Sequence, residues 1–100
     1  MTIEELTNFF KAIAPRASAL GAVLKFDFGK DGIISIDATQ SPAVVTNDDT
    51  DADTTVTVTL EDFSDILSKK LPGDLAFSMG KLRVSGDKIN GVRLTQFLTR

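Results

Sequence analysis

From Ala22 to Leu60 the apolar residues recur at about every second position, and on either side of that stretch they recur every third or fourth. A period of two puts alternate side chains on opposite faces of a strand, and a period near 3.6 gathers them on one face of a helix. The chain therefore divides into helix, strands and helices. Neither kind of element can bury its own apolar face, so the helices must lie on the sheet. At 100 residues there is room for one such domain, residues 1–100, around one core.

Ile3, Leu6, Phe9, Phe10 and Ile13 form the first helical stripe, and Thr2 with Glu5 makes a capping box at its start. Pro15 is expected to end the regular helix near Ala14. Ala22, Leu24, Phe26 and Phe28 then share one strand face, opposite Val23, Lys25 and Asp27. Gly29-Lys30-Asp31-Gly32 supplies a turn, after which Ile34, Ile36 and Ala38 alternate with Ile33, Ser35 and Asp37. Ser41-Pro42 breaks the run, Ala43–Thr46 reads as a third strand, and Asn47–Asp53 is a polar loop. Val56, Val58 and Leu60 alternate with Thr55, Thr57 and Thr59 in a fourth strand. With short turns between them, these four strands are expected to form an antiparallel meander.

Thr59 and Asp62 open a second helix carrying Phe63, Ile66, Leu67 and Lys70, which Pro72-Gly73 is expected to end. Asp74–Met79 suits one or two helical turns, Lys81–Ser85 a fifth strand, and Ile89, Val92, Leu94, Phe97 and Leu98 a final helix. The predicted fold is α+β: a five-stranded antiparallel sheet covered on one face by helices, in the order α-ββββ-α-α-β-α.

The chain has no Cys and no His, which removes disulfides, zinc and haem ligation, and Cys-His or Ser-His nucleophile pairs. A carboxylate-only metal site and acid–base work by Asp, Glu or Lys stay open on composition. The spacing argues against both. Asp49-x-Asp51-x-Asp53 opens like a calcium loop, but Thr54 stands where that loop needs Gly and Leu60 where it needs a bidentate Glu. Asp27, Asp37, Glu61 and Asp65 fall on polar faces, whereas acid–base work needs a carboxylate in a partly apolar cleft. No catalytic residue, metal site or cofactor is predicted, and the chain is not read as an enzyme. Its net charge is −3 and its longest basic cluster is Lys69-Lys70, which argues against nucleic acid as a partner. The first residues lack the charge and apolar run of a signal peptide, and no stretch is apolar for long enough to span a bilayer. The expected compartment is the cytoplasm.

Phe63, Ile66, Leu67, Leu71, Leu75, Phe77 and Met79 crowd into seventeen residues. Periodicity leaves two readings of that crowd, a packed core or the wall of a lipid cavity. Lys81 and Arg83 share the outer face of the fifth strand, as a solvated face or as the contact for an anionic head group.

Three strings carry a resemblance. Ala76-Phe77-Ser78-Met79-Gly80-Lys81-Leu82-Arg83-Val84-Ser85-Gly86-Asp87 is similar to A-F-x-x-G-K-L-x-[IV]-x-G-[ND], and Asp31–Asp37 to D-G-x-W-x-[IVL]-D with Ile34 in the aromatic position. Ala52-Asp53, the alternating strand and Asp62-Phe63 follow in the same order. These strings belong to the sterol carrier protein 2 family of nonspecific lipid-transfer proteins, which the chain resembles from Leu6 to Leu98. The resemblance implies helices over a five-stranded sheet, an apolar tunnel for sterol, fatty acid or fatty acyl-CoA, and no catalysis. It assigns Phe63, Leu67, Leu75, Phe77, Met79, Leu82 and Val84 to the tunnel wall, with Phe97 and Leu98 added from their place in the final helix. Lys81, Arg83 and Arg93 are the candidate head-group contacts. The implied partners are a lipid, at most a transient membrane contact, and an enzyme to which a lipid could be presented. Lys88–Leu94 keeps only part of the family's M-G-x-A-x-x-L segment, and the chain ends Leu98-Thr99-Arg100 without a peroxisomal S-K-L address. A shorter lid over the tunnel is the expectation. Glu4 and Glu5 weaken any expectation that the first helix docks on anionic membranes.

Overall fold

The structure is a computed structural model that describes residues 2–17 and 21–87. Thr2 and Glu5 form the capping box reciprocally: Glu5 N–H donates to Thr2 Oγ1 and Thr2 N–H to Glu5 Oε1, both at 3.1 Å. From there α1 runs over Ile3–Ala17, three residues past the expected end. Pro15 has no N–H for the Lys11 carbonyl and its ring crowds that group, but both residues are exposed, so water can satisfy the carbonyl and the last turn persists.

The strands are β1 (Val23–Asp27), β2 (Ile33–Asp37), β3 (Val44–Thr46), β4 (Thr54–Val58) and β5 (Leu82–Gly86), with α2 (Leu60–Leu67) and α3 (Gly73–Ser78) between the last two. A 3-10 turn, Gly29–Asp31, joins β1 to β2, and the β2–β3 connection contains a cis Ser41–Pro42 peptide. The predicted final helix lies outside the described residues.

All five strands form one sheet in the order β3-β2-β1-β4-β5. The expected antiparallel meander is corrected here. β4 does not pair with β3; it lies beside β1 and parallel to it, with Lys25 opposite Thr55 and Phe26 opposite Val56. The other three pairings are antiparallel, so the sheet is mixed. The polar loop makes this possible. Thr46, Ser35, Lys25 and Thr55 fall on one row across the sheet, so β3 ends almost level with the start of β4. Three strand spacings are about 14 Å, and the seven residues 47–53 can reach about 23 Å. The loop crosses the outer face of the sheet along that row. Ser35 Oγ donates to the Asp48 carbonyl at 2.6 Å, Lys25 Nζ meets Asp49 Oδ1 at 2.8 Å, and Val23 N–H donates to Asp53 Oδ2 at 2.8 Å.

The inner face carries the core. Leu24, Phe26, Phe28, Ile34, Ile36, Val56 and Val58 are buried against Leu6, Phe10, Ile13 and Ala14 of α1 and Phe63 and Ile66 of α2. Phe10, Phe26, Phe28 and Phe63 make a continuous aromatic cluster with ring centroids 5.0 to 6.1 Å apart. The alternation expected for β1 and β4 is observed. In β2 the outer-face Ser35 is buried as well, covered by the crossing loop.

Candidate functional site

The region from α2 to β5 is shaped by two helix ends of the same kind. Thr59 caps α2 by accepting from Asp62 N–H at 3.1 Å, as the sequence suggests. The helix then stops at Leu67, well before Pro72, because Lys69 takes a left-handed backbone with φ 65°. Lys70 N–H bonds the Asp65 carbonyl and Lys69 N–H the Ile66 carbonyl, the two bonds of a Schellman cap. α3 ends in the same way. Gly80 is left-handed at φ 75°, Lys81 N–H bonds the Ala76 carbonyl, and Gly80 N–H bonds that of Phe77.

Seven of the nine wall residues expected from the sequence are described, and they take three depths. Phe63 is buried in the aromatic cluster. Leu67 of α2 and Leu82 and Val84 of β5 are half-buried against the core, with Leu71 beside them. Leu82 stands opposite Val58 and Val84 opposite Val56, so both lie on the inner face. On α3, Ala76 is fully buried while Leu75, Phe77 and Met79 are 47%, 52% and 55% exposed. Leu75 and Met79, four apart, share one flank of the helix, and Phe77 takes the other. Phe97, Leu98 and Arg93 lie outside the described residues.

Lys81 and Arg83 converge on an open cavity of about 370 Å³ at the end of β1, β4 and β5. Asp27 and Asp62 line it with the two cations, beside Thr57 and Thr59. Arg83 lies opposite Thr57, which lies opposite Asp27, so the three share one row of the outer face. Asp27 is already engaged in the turn, where its Oδ1 accepts from Gly29 N–H at 2.8 Å.

Two carboxylates of the acidic loop are taken up by structure. Asp49 pairs with Lys25, and its hydrogen bond is the largest cause of a raised Lys25 pKa. Asp53 ties three strands together: its carboxylate accepts from Val23 N–H, its N–H donates to the Val23 carbonyl, and its own carbonyl accepts from Asp87 N–H. Asp37 caps a turn by accepting from Thr39 N–H, Thr39 Oγ1 and Gln40 Nε2, and those bonds, Thr39 Oγ1 first, lower its pKa. Among the described residues no cluster of three potential metal-binding side chains occurs. The buried polar residues there are Thr7, Ser35 and Thr54, each hydrogen-bonded through its hydroxyl. Sequence reasoning missed Asp53 and Asn47, whose Nδ2 reaches Thr7 Oγ1 and the Ile33 carbonyl at 3.1 Å. The Ala52-Asp53 string was the only signal for the former, and none existed for the latter.

The family model of the SCP-2 sterol transfer family matches residues 3–99. The chain belongs to that family. No curated protein sequence matches it. Solved structures of the SCP2 type do. Sterol Carrier Protein 2 from Yarrowia lipolytica, in its apo form, is 21% identical with a TM-score of 0.70, over 91% of this chain and 77% of that one. Palmitated SCP2L2 from Aedes aegypti is 25% identical with a TM-score of 0.72, over 100% and 96%. The ubiquinone synthesis protein UbiJ-SCP2 is 20% identical with a TM-score of 0.64, over 95% and 93%. The mixed five-stranded sheet under helices is thus an SCP2 fold, and membership in the SCP2 family makes this a lipid-binding domain of the sterol-transfer type.

Proposed function

We propose that this SCP2 domain is a non-catalytic lipid carrier that takes up a sterol, fatty acid or fatty acyl-CoA type ligand and releases it without covalent chemistry. The observation that carries the reading is the apolar surface of α3. Leu75, Phe77 and Met79 are half-exposed on a helix whose neighbours Leu67, Leu71, Leu82 and Val84 are half-buried. A hydrocarbon laid against such a wall gains about 25 cal/mol per Å² of apolar surface removed from water. Affinity then comes from the tail, while the wall discriminates weakly between hydrocarbons of similar girth. Lys81 and Arg83, with Arg93, are the head-group contacts on this reading, and the first two line one open cavity. The palmitated SCP2L2 relative supports an acyl chain among the ligands. No helix among the described residues is long and apolar enough to cross a membrane, and the compartment on this reading is the cytoplasm.

A second reading has its own observation. UbiJ-SCP2, a ubiquinone synthesis protein of the same fold, favours a domain that presents a lipid intermediate to a partner enzyme. One experiment separates the two. The chain is titrated with a fluorescent fatty acid and a fluorescent sterol, vesicle-to-vesicle transfer is followed, and the tagged protein is used for pull-down. Submicromolar uptake with transfer supports the carrier. A stoichiometric protein partner without transfer supports presentation, and the absence of uptake by either probe rejects both.

A further inference from the structure

The segment that holds α3 differs in charge from the rest of the chain. Between Lys69 and Lys81 stand three lysines and one carboxylate, Asp74, in a chain whose net charge is −3. All four of these residues are exposed. The helix caps determine where the lysines stand: Lys69 and Lys70 are the first two residues past α2's cap, and Lys81 is the second past α3's. Complementing a helix dipole accounts for lysines at two C-termini. It does not account for Leu75, Phe77 and Met79, left about half-exposed between them.

Apolar side chains on a segment flanked by cations suit a surface that offers both hydrocarbon and negative charge. We propose that α3 and its flanking lysines form a docking surface for an anionic lipid bilayer. Leu75, Phe77 and Met79 enter the interface while Lys69, Lys70 and Lys81 meet the head-group phosphates. α1 has no comparable face, because Leu6, Phe10 and Ile13 are buried in the core and Glu4 and Glu5 stand in its first turn. The inference rests on the carrier reading, since it puts the half-buried wall of Leu67, Leu82 and Val84 next to the membrane from which a lipid would leave.

The test uses cosedimentation with phosphatidylcholine vesicles, with and without phosphatidylglycerol, alongside fatty-acid titration in the absence of vesicles. Lys69 and Lys70 belong to no part of the lipid wall. The double variant Lys69→Gln, Lys70→Gln is expected to lose about 25-fold in affinity for the anionic vesicles, at about fivefold per lysine, with fatty-acid binding unchanged. Asp74→Asn, which keeps the oxygen that accepts from Leu75 N–H, is expected to gain about fivefold by the same reasoning. Binding that ignores phosphatidylglycerol, or that the double variant leaves intact, overturns the proposal. A protein that takes up fatty acid but ignores anionic vesicles overturns the docking surface and spares the carrier. Vesicle binding without uptake supports the docking surface and sinks the carrier. A dimer that vesicles do not displace and that Phe77→Ser dissociates means that a second copy covers α3, which also overturns it.

Discussion

Gly86→Ala should be among the most damaging single-methyl changes in this chain, although Gly86 itself is exposed. The residue has φ 83°, a conformation that costs an L side chain about 1–2 kcal/mol. A Cβ there would also stand 2.2 Å from the Asp53 carbonyl oxygen and 3.1 Å from its carbon. Both are backbone atoms, so no side-chain rotation relieves the overlap. Moving that carbonyl breaks its bond from Asp87 N–H and shifts the residue whose carboxylate holds Val23 N–H. It also disturbs the fully buried Thr54, whose hydroxyl donates to the Asp87 carbonyl at 2.6 Å. With about 1 kcal/mol for the lost Asp87 bond and 1–3 kcal/mol for a buried hydroxyl left unpaired, the expected cost is about 3–6 kcal/mol. A domain of this size has about 5–15 kcal/mol in all. Gly80→Ala is the matched control: its φ is 75° and nothing lies within 4 Å of its Cβ position, so it should cost only the conformational part. The assay is urea unfolding followed by far-UV circular dichroism, because the chain has neither Trp nor Tyr. Equal midpoint shifts for the two variants at equal m-values would refute the argument, showing that the β4–β5 junction has slack to absorb a methyl group.

The same caps and turns yield further expectations. Lys69→Gly should stabilise the chain by about 0.5–1 kcal/mol, because Lys69 occupies the left-handed position that Gly80 fills in the sister cap; an unchanged or lowered urea midpoint would contradict this. Asp37 has a lowered pKa, so its contribution is present above the unfolded carboxylate value and is lost as pH falls through the folded one. Asp37→Asn should therefore be less stable than wild type at neutral pH, and the gap should close below about pH 4; a gap that stays constant in urea titrations across that range would refute the assignment. Phe77→Asp and Leu67→Asp, each placing a charge on the wall, should abolish uptake of the fluorescent fatty acid. Unchanged uptake by either variant, with wild-type circular dichroism, would remove that residue from the wall.

What could be read from the residues was whatever depends on neighbours two to four positions apart. The period-two faces of β1 and β4, the capping box at Thr2, the side-chain cap at Thr59 and the turn at Gly29–Gly32 are of that kind, since each is set by local backbone geometry. The ends of helices were less legible. Pro15 and Pro72 looked decisive, yet α1 runs past Pro15 and α2 stops at Leu67. An exposed last turn can spare one bond, and a lysine can be held left-handed when two cap bonds and the following packing favour it. The sequence named the apolar crowd from Phe63 to Met79 but could not sort it into the buried Phe63 and Ile66, the half-buried Leu67 and Leu71 and the half-exposed Leu75, Phe77 and Met79.

The chain by itself determined its class and its chemistry. Without Cys or His it holds no thiol, imidazole or disulfide, and its alternating and helical stripes require helices laid on a sheet. The three-dimensional fold alone decided that β4 returns beside β1 in parallel, under a loop in which the carboxylates of Asp49 and Asp53 bind the sheet. It also decided that Lys81 and Arg83 share one cavity with Asp27 and Asp62. These outcomes join residues up to 56 positions apart, and no local period encodes such distances; only the packing of every element against one core selects among the pairings that each strand could make.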